Sequence, residues 1–168
     1  MYSTTFLLRL VKVIATLSLG IMLLIIVFGN LTDYNTNFQF VKHVLNMDTI
    51  FPDSHIQYRS INNTVIVKIA YAIIIGLEAL MAFCCLKGAL LLAKHIKDDA
   101  ITFHSKKNWA IAGFIIGILI WFLGFQIVGG EWFAMWQSTT WNGLDSANRI
   151  TTFIVLVLIL FSLKEEEL

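Results

Sequence analysis

Glu78 is the one acidic residue between Thr64 and Leu92, a stretch otherwise dominated by apolar side chains. A bare carboxylate in hydrocarbon costs at least a few kcal/mol, so a partner must offset it. Lys68 stands ten residues away, roughly 15 Å along a helix, which is too far for pairing. At the same depth on the first apolar run lie Ala15 and Thr16, with Lys12 about one turn below. The expected partner is therefore Lys12, as an ion pair, or else Thr16 or a backbone carbonyl, accepting a hydrogen bond from a protonated Glu78. Either arrangement clamps two helices together. Contact with a partner subunit or a lipid headgroup is a second use for such a residue, and a proton or cation relay a third; a relay calls for further ionisable groups at similar depth, and the later apolar runs supply none.

Two more groups of residues carry chemistry. Lys68, Gln126, Glu131 and Arg149 fall near the same end of the apolar runs and can form a buried network of opposite charges, with His43, Asp48 and Asp53 to cover it. The stretch 129–143, GGEWFAMWQSTTWNG, holds three of the five tryptophans. Trp132 and Trp136 are four apart and share a face if the segment is helical. With Phe133, Trp141, His43, Asp48 and Phe51 they make a candidate partner- or lipid-binding surface. Tryptophan favours the headgroup region of a bilayer and also dominates protein interfaces, so belt and docking surface both stay open. Four histidines scattered along the chain do not suggest a metal site. No Gly-x-Ser-x-Gly, phosphate-binding glycine loop, HExxH or Cys-x-x-Cys occurs. Neither an enzyme nor a cofactor is expected.

The elements that position these groups follow from composition. The chain has 168 residues, of which 58% are hydrophobic and 14% charged, and its mean hydropathy is +0.77. That places it in a bilayer, as an all-α polytopic membrane protein, since the runs lack the alternation of barrel strands. Four runs, at about 6–28, 64–92, 108–128 and 146–164, are long enough to cross ~30 Å of hydrocarbon. The first lacks a small-x-small cleavage site near Phe28 and reads as a retained helix. Arg9, Lys12, Lys87, Lys94, Lys97, Lys106, Lys107 and Lys164 lie on one side, against Lys42, Arg59, Lys68 and Arg149 on the other. Both termini are therefore expected in the cytoplasm. A net charge of +1 without a basic stripe argues against a nucleic-acid partner.

Between the runs, the first outer loop at about 29–63 is too long to lack structure. Phe38, Val41, Val44 and Leu45 recur at helical spacing after the capping residues Asn35, Thr36 and Asn37. A short amphipathic helix over 37–47, lying on the outer membrane surface, is the expectation. The second outer loop, about 129–145, begins where Gly129 and Gly130 break the third helix. The second helix overhangs the membrane through Ala93 to Lys97, and the charges up to Lys107 form a solvated collar. Gly113 and Gly117 make a face for close helix approach, with the neighbour left open. Cys84 and Cys85, adjacent in one helix, point apart and read as small packing residues.

The segments Phe40 to Pro52, FVKHVLNMDTIFP, and Gly129 to Ser138 with Trp141, Asn142 and Gly143 resemble a bacterial family of predicted small integral membrane proteins of unknown function, DUF2165. The resemblance covers nearly the whole chain. It implies a multi-pass bacterial inner-membrane protein with both motifs in the periplasm, and no activity. The expected function is a non-enzymatic accessory subunit or assembly factor that binds a larger membrane-protein complex or a periplasmic protein. A small transporter or channel component using Glu78 and the Lys68, Glu131 and Arg149 group is one alternative. Binding of a lipid or quinone headgroup beneath the tryptophans is another.

Overall fold

The computed structural model describes residues 3–163, so Lys164 and the end of the fourth expected run lie outside it. Helix α1 (Thr4–Thr32) starts on a capping bond, the Phe6 N–H donating to Ser3 Oγ at 3.1 Å. It is followed by α2 (Tyr34–Asn46), α3 (Thr64–Lys94), the short α4 (Ala100–Ser105), α5 (Asn108–Gly117) and α6 (Leu144–Ser162). Between α5 and α6 the chain continues as a π-helical segment, Ile118–Trp132. Four of these stretches, Thr4–Thr32, Thr64–Lys94, Ala100–Trp132 and Leu144–Ser162, are long and apolar enough to cross a membrane.

The seam between α3 and α5 is built from small residues. A Cβ added at Gly88 would sit 2.6 Å from the Ala110 nitrogen, and one at Gly113 would sit 2.7 Å from Cys85 Sγ. At Gly117 it would meet Ile154 Cδ1 at 2.6 Å and Met81 Cε at 2.8 Å. The neighbour that Gly113 and Gly117 admit is thus chiefly α3, with α6 closing on Gly117. Both cysteines are free and buried, and Cys85 fills the space that Gly113 leaves. Helix α6 presents Ala147, Thr151, Ile154, Val157 and Phe161 as its buried stripe, at spacings of three and four.

Helices α1 and α3 run antiparallel, with Gly20 beside Leu86 and Asn30 beside Glu78. In that register α1 ends well before α3 begins, so the first part of α3 has no α1 alongside. Helix α2 folds back to cover it, packing Phe38 and Val41 against Val67 and Tyr71. The amphipathic helix expected over 37–47 begins earlier, and its apolar residues Phe38 and Val41 pack against α3. Its start moves because α1 continues through Gly29 and Asn30 to Thr32, leaving Asn35, Thr36 and Asn37 inside α2 instead of capping it.

Two further expectations change. Gly129 and Gly130 do not break the third spanning helix: both are buried within the π segment, which runs on to Trp132. At its end the Phe133 N–H donates to the Val128 carbonyl, five residues back, at 3.0 Å. At the other end of the bundle the charges are not all a solvated collar. Lys94 and Lys97 are exposed, but Arg9 and Lys107 are 0% and 1% exposed. Arg9 Nη1 donates to the carbonyls of Ile96, at 3.1 Å, and Asp98, at 2.6 Å, while its guanidinium lies 4.8 Å over the Phe103 ring. Lys107 Nζ donates to the Phe161 carbonyl at 2.9 Å. Arg9 thus ties the α3–α4 turn to α1, and Lys107 ties the α4–α5 junction to a carbonyl that the end of α6 leaves open. Helix α3 stops at Lys94, short of the expected overhang. Exposed Asp99 caps α4, and the hydrogen bonds from Thr102 hold its carboxyl below the usual carboxylate range.

Gly88→Ala should destabilise the folded protein by about 1–3 kcal/mol, because the added methyl meets backbone that cannot yield. Gly76→Ala, where a Cβ meets nothing within 4 Å, should be neutral or stabilising. Unfolding of the two variants side by side in mild detergent measures the difference.

Candidate functional site

Glu78 is 4% exposed and accepts a hydrogen bond from Asn30 Nδ2 at 2.6 Å. The Tyr71 hydroxyl donates to the Asn30 carbonyl at 3.1 Å, so the last part of α1 is held by α3 at two depths. Neither expected partner serves Glu78. Lys12 precedes Asn30 by eighteen residues, roughly 27 Å along α1. Thr16 turns its hydroxyl to the Lys12 carbonyl of its own helix, at 2.8 Å. The expectation set the ends of the two helices level; instead Asn30, close to the end of α1 at Thr32, stands beside Glu78, well inside α3, and this offset places an amide opposite the acid. Along α3, Lys68 and Lys87 lie roughly 15 Å and 13 Å to either side of Glu78. Lys87 instead caps the Trp109 ring, its Nζ 3.6 Å from the centroid.

The polar network expected at the α2 end does not assemble. Lys68, Glu131 and Arg149 are exposed, and no ion pair joins them among the described residues. Gln126 donates to Thr151 Oγ1 at 2.9 Å, a link between the π segment and α6. The continuing π segment carries Glu131 out to the exposed end instead of turning it inward. Among the described residues no three metal-ligating side chains converge.

The two loops at the α2 end do come together, as one cap. Thr49 Oγ1 bonds Ser138 Oγ at 2.8 Å, and the Phe51 N–H donates to Gln137 Oε1 at 3.0 Å. Two non-glycine residues adopt left-handed backbone, Met47 (φ 53°) and Ala134 (φ 51°). Both are 1% exposed and share one apolar cluster with Phe133, which is therefore core rather than surface. Gln57 Nε2 donates to the Met47 carbonyl at 3.0 Å, and the Ile61 N–H to that of Leu45 at 2.8 Å. His43 Nδ1 lies 2.7 Å from Asp48 Oδ2, and its ring stacks on Trp141 with centroids 4.6 Å apart.

On this cap, Trp132 and Trp136 are 52% and 50% exposed. They do not share a helical face, because the π segment ends at Trp132 and Ala134 turns the chain before a 3₁₀ turn at Met135–Gln137. Arg59 lies 4.6 Å over the Trp132 ring and donates to the Trp132 carbonyl at 3.3 Å. Phe51 meets Trp136 edge-on at 5.8 Å. Tyr58, beneath the same guanidinium at 5.6 Å, is 78% exposed. Sequence reasoning passed over Arg59, Tyr58 and Asn30. For Asn30 the signal was the apolar run Ile25 to Leu31 continuing through it.

Below the cap, α3 and the third spanning helix separate after their contact at Gly117 and leave, beside the π segment, an apolar cavity of about 320 Å³, with Phe40, Val41, Val44 and Leu45 of α2 as its roof.

An integral membrane protein of four spanning helices, capped at one end by two interlocked loops, is what these features define. Over residues 8–164 the sequence matches the family model described as predicted small integral membrane protein (DUF2165). The chain belongs to that family. No curated protein and no solved structure matches it.

Asn30→Ala should cost about 1–3 kcal/mol of stability, since it strands a buried acid, whereas Asn30→Ala combined with Glu78→Leu should recover most of it. Melting of the single and double variants in detergent tests this. Equal loss in both would show that Asn30 acts through something other than Glu78.

Proposed function

We propose that the protein is a non-enzymatic accessory subunit or assembly factor of a larger complex in a bacterial inner membrane, with both termini cytoplasmic. The cap then faces the periplasm and is the docking surface. The observation that carries this reading is the group Tyr58, Arg59, Trp132, Phe51 and Trp136: large side chains, each half exposed or more apart from Arg59, joined by cation–ring and edge-on ring contacts, on backbone pinned by the cross-loop bonds. Trp, Tyr and Arg are the residues that most often dominate binding energy, and holding them in place beforehand lowers the entropy lost on association. His43, Asp48 and Trp141 stiffen the cap from its other side. Glu78, bonded to Asn30 and far from Lys68 and Lys87, reads as a clamp between α1 and α3 more readily than as a step in a transport path.

Purification from native membranes in mild detergent should bring down a stoichiometric partner. Trp132→Ala and Trp136→Ala should each weaken that association by about 2 kcal/mol, roughly thirtyfold, with the melting temperature of the isolated protein unchanged. A clean monomer from native membranes would sink the proposal. A variant that keeps its partner but leaves the bilayer more easily would show that the tryptophans serve as an interfacial anchor.

A further inference from the structure

We propose that the cavity between α2, α3 and the π segment binds one acyl chain of a phospholipid drawn from the leaflet on the α2 side. It is lined by apolar side chains and two glycines, Gly124 and Gly129, with no polar side chain. On α3 the lining runs from Ala70 to Leu77, immediately before Glu78 and inside a segment apolar enough to span the membrane. Its rim is open sideways: Ile73, Leu119 and Val128 line it and are still 56%, 47% and 41% exposed. In a bilayer those faces meet lipid.

The occupant follows from what this space can hold. Water needs two to four polar partners and finds no side-chain partner here, while an empty space forfeits the dispersion contacts of its walls. A transmembrane helix about 10–12 Å across does not fit beneath the α2 roof. A volume of about 320 Å³ stands at the low end of the ~300–1,000 Å³ typical of ligand sites, suited to a slender hydrocarbon chain. With no side-chain donor in its walls, the cavity has nothing to orient a quinone ring, so the head of the bound molecule stays at the mouth. The bilayer supplies acyl chains at the rim without a search. Gly124 keeps the space open: a Cβ there meets only the Leu119 carbonyl oxygen, at 3.4 Å, so a larger side chain can grow into the cavity.

The test uses the whole protein in vesicles of phosphatidylethanolamine and phosphatidylglycerol carrying a trace of phosphatidylethanolamine with a diazirine on one acyl chain. After illumination, adducts should concentrate on Ile74, Leu77, Ile120 and Phe125 in the walls, above the level at lipid-facing Leu90 and Phe122. Gly124→Leu and Ala70→Phe fill the cavity from opposite walls, and either should abolish the wall adducts while those at Leu90 and Phe122 persist. Even labelling of walls and outer faces in the unsubstituted protein overturns the proposal, and that comparison needs no variant to fold. Wall adducts that survive both substitutions overturn it too. Displacement of the label by an isoprenoid quinone but not by unlabelled phospholipid would overturn the choice of an acyl chain. Partner docking at Trp132 and Trp136 is read separately, so either proposal can fail alone.

Discussion

The close approach of α3 and α5 through Gly88, Gly113 and Gly117 is the constraint on which the rest of the bundle depends. In lipid no hydrophobic driving force presses helices together, so association relies on van der Waals contact, and small residues bring backbones near enough for it. Because α6 closes on Gly117 through Ile154, the same seam fixes three helices at once. Beyond Gly117 the cavity opens between α3 and the third spanning helix, with Gly124 and Gly129 in its wall. Seam and cavity are two uses of small residues: in one they admit a neighbouring backbone, in the other they leave space.

The extra length of α3 has a comparable effect on the polar groups. A helix of 31 residues measures about 46 Å and cannot be buried along its whole length in ~30 Å of hydrocarbon. Its surplus is taken up by α2, which turns back at Asp33 and packs on Val67 and Tyr71. The antiparallel register that follows sets Asn30 opposite Glu78. A buried acid that would be costly alone becomes one member of a hydrogen-bonded pair, and the pair fastens α1 to α3 near the point where α1 ends.

The spanning helices were legible in the sequence because hydropathy over twenty or more residues is a strong signal with few alternatives. Contacts between them were not. The Lys12–Glu78 pairing failed because hydropathy gives the span of each helix and not the offset between them: Asn30, near the end of α1, stands where Ala15 and Thr16 were expected. Gly129 and Gly130 read as a break because paired glycines usually end a helix; here the wide turn of the π segment tolerates them within it. Glu131 consequently stays exposed, and the expected network with Lys68 and Arg149 does not form. Trp132 and Trp136 were legible as exposed aromatics. The contact of Arg59 with Trp132 was not, since it joins loops 73 positions apart in the chain.

Met47 and Ala134 close the picture. Left-handed backbone costs an ordinary residue about 1–2 kcal/mol, so each of these turns persists only while the surrounding packing repays it. Here each is buried in a cluster to which the other loop contributes. Release of one loop removes the contacts that hold the other in its strained turn. The cap should therefore open as one cooperative unit, the amide hydrogens of Met47 and Ile61 on one side and Ser138 on the other exchanging with solvent as a single event rather than loop by loop.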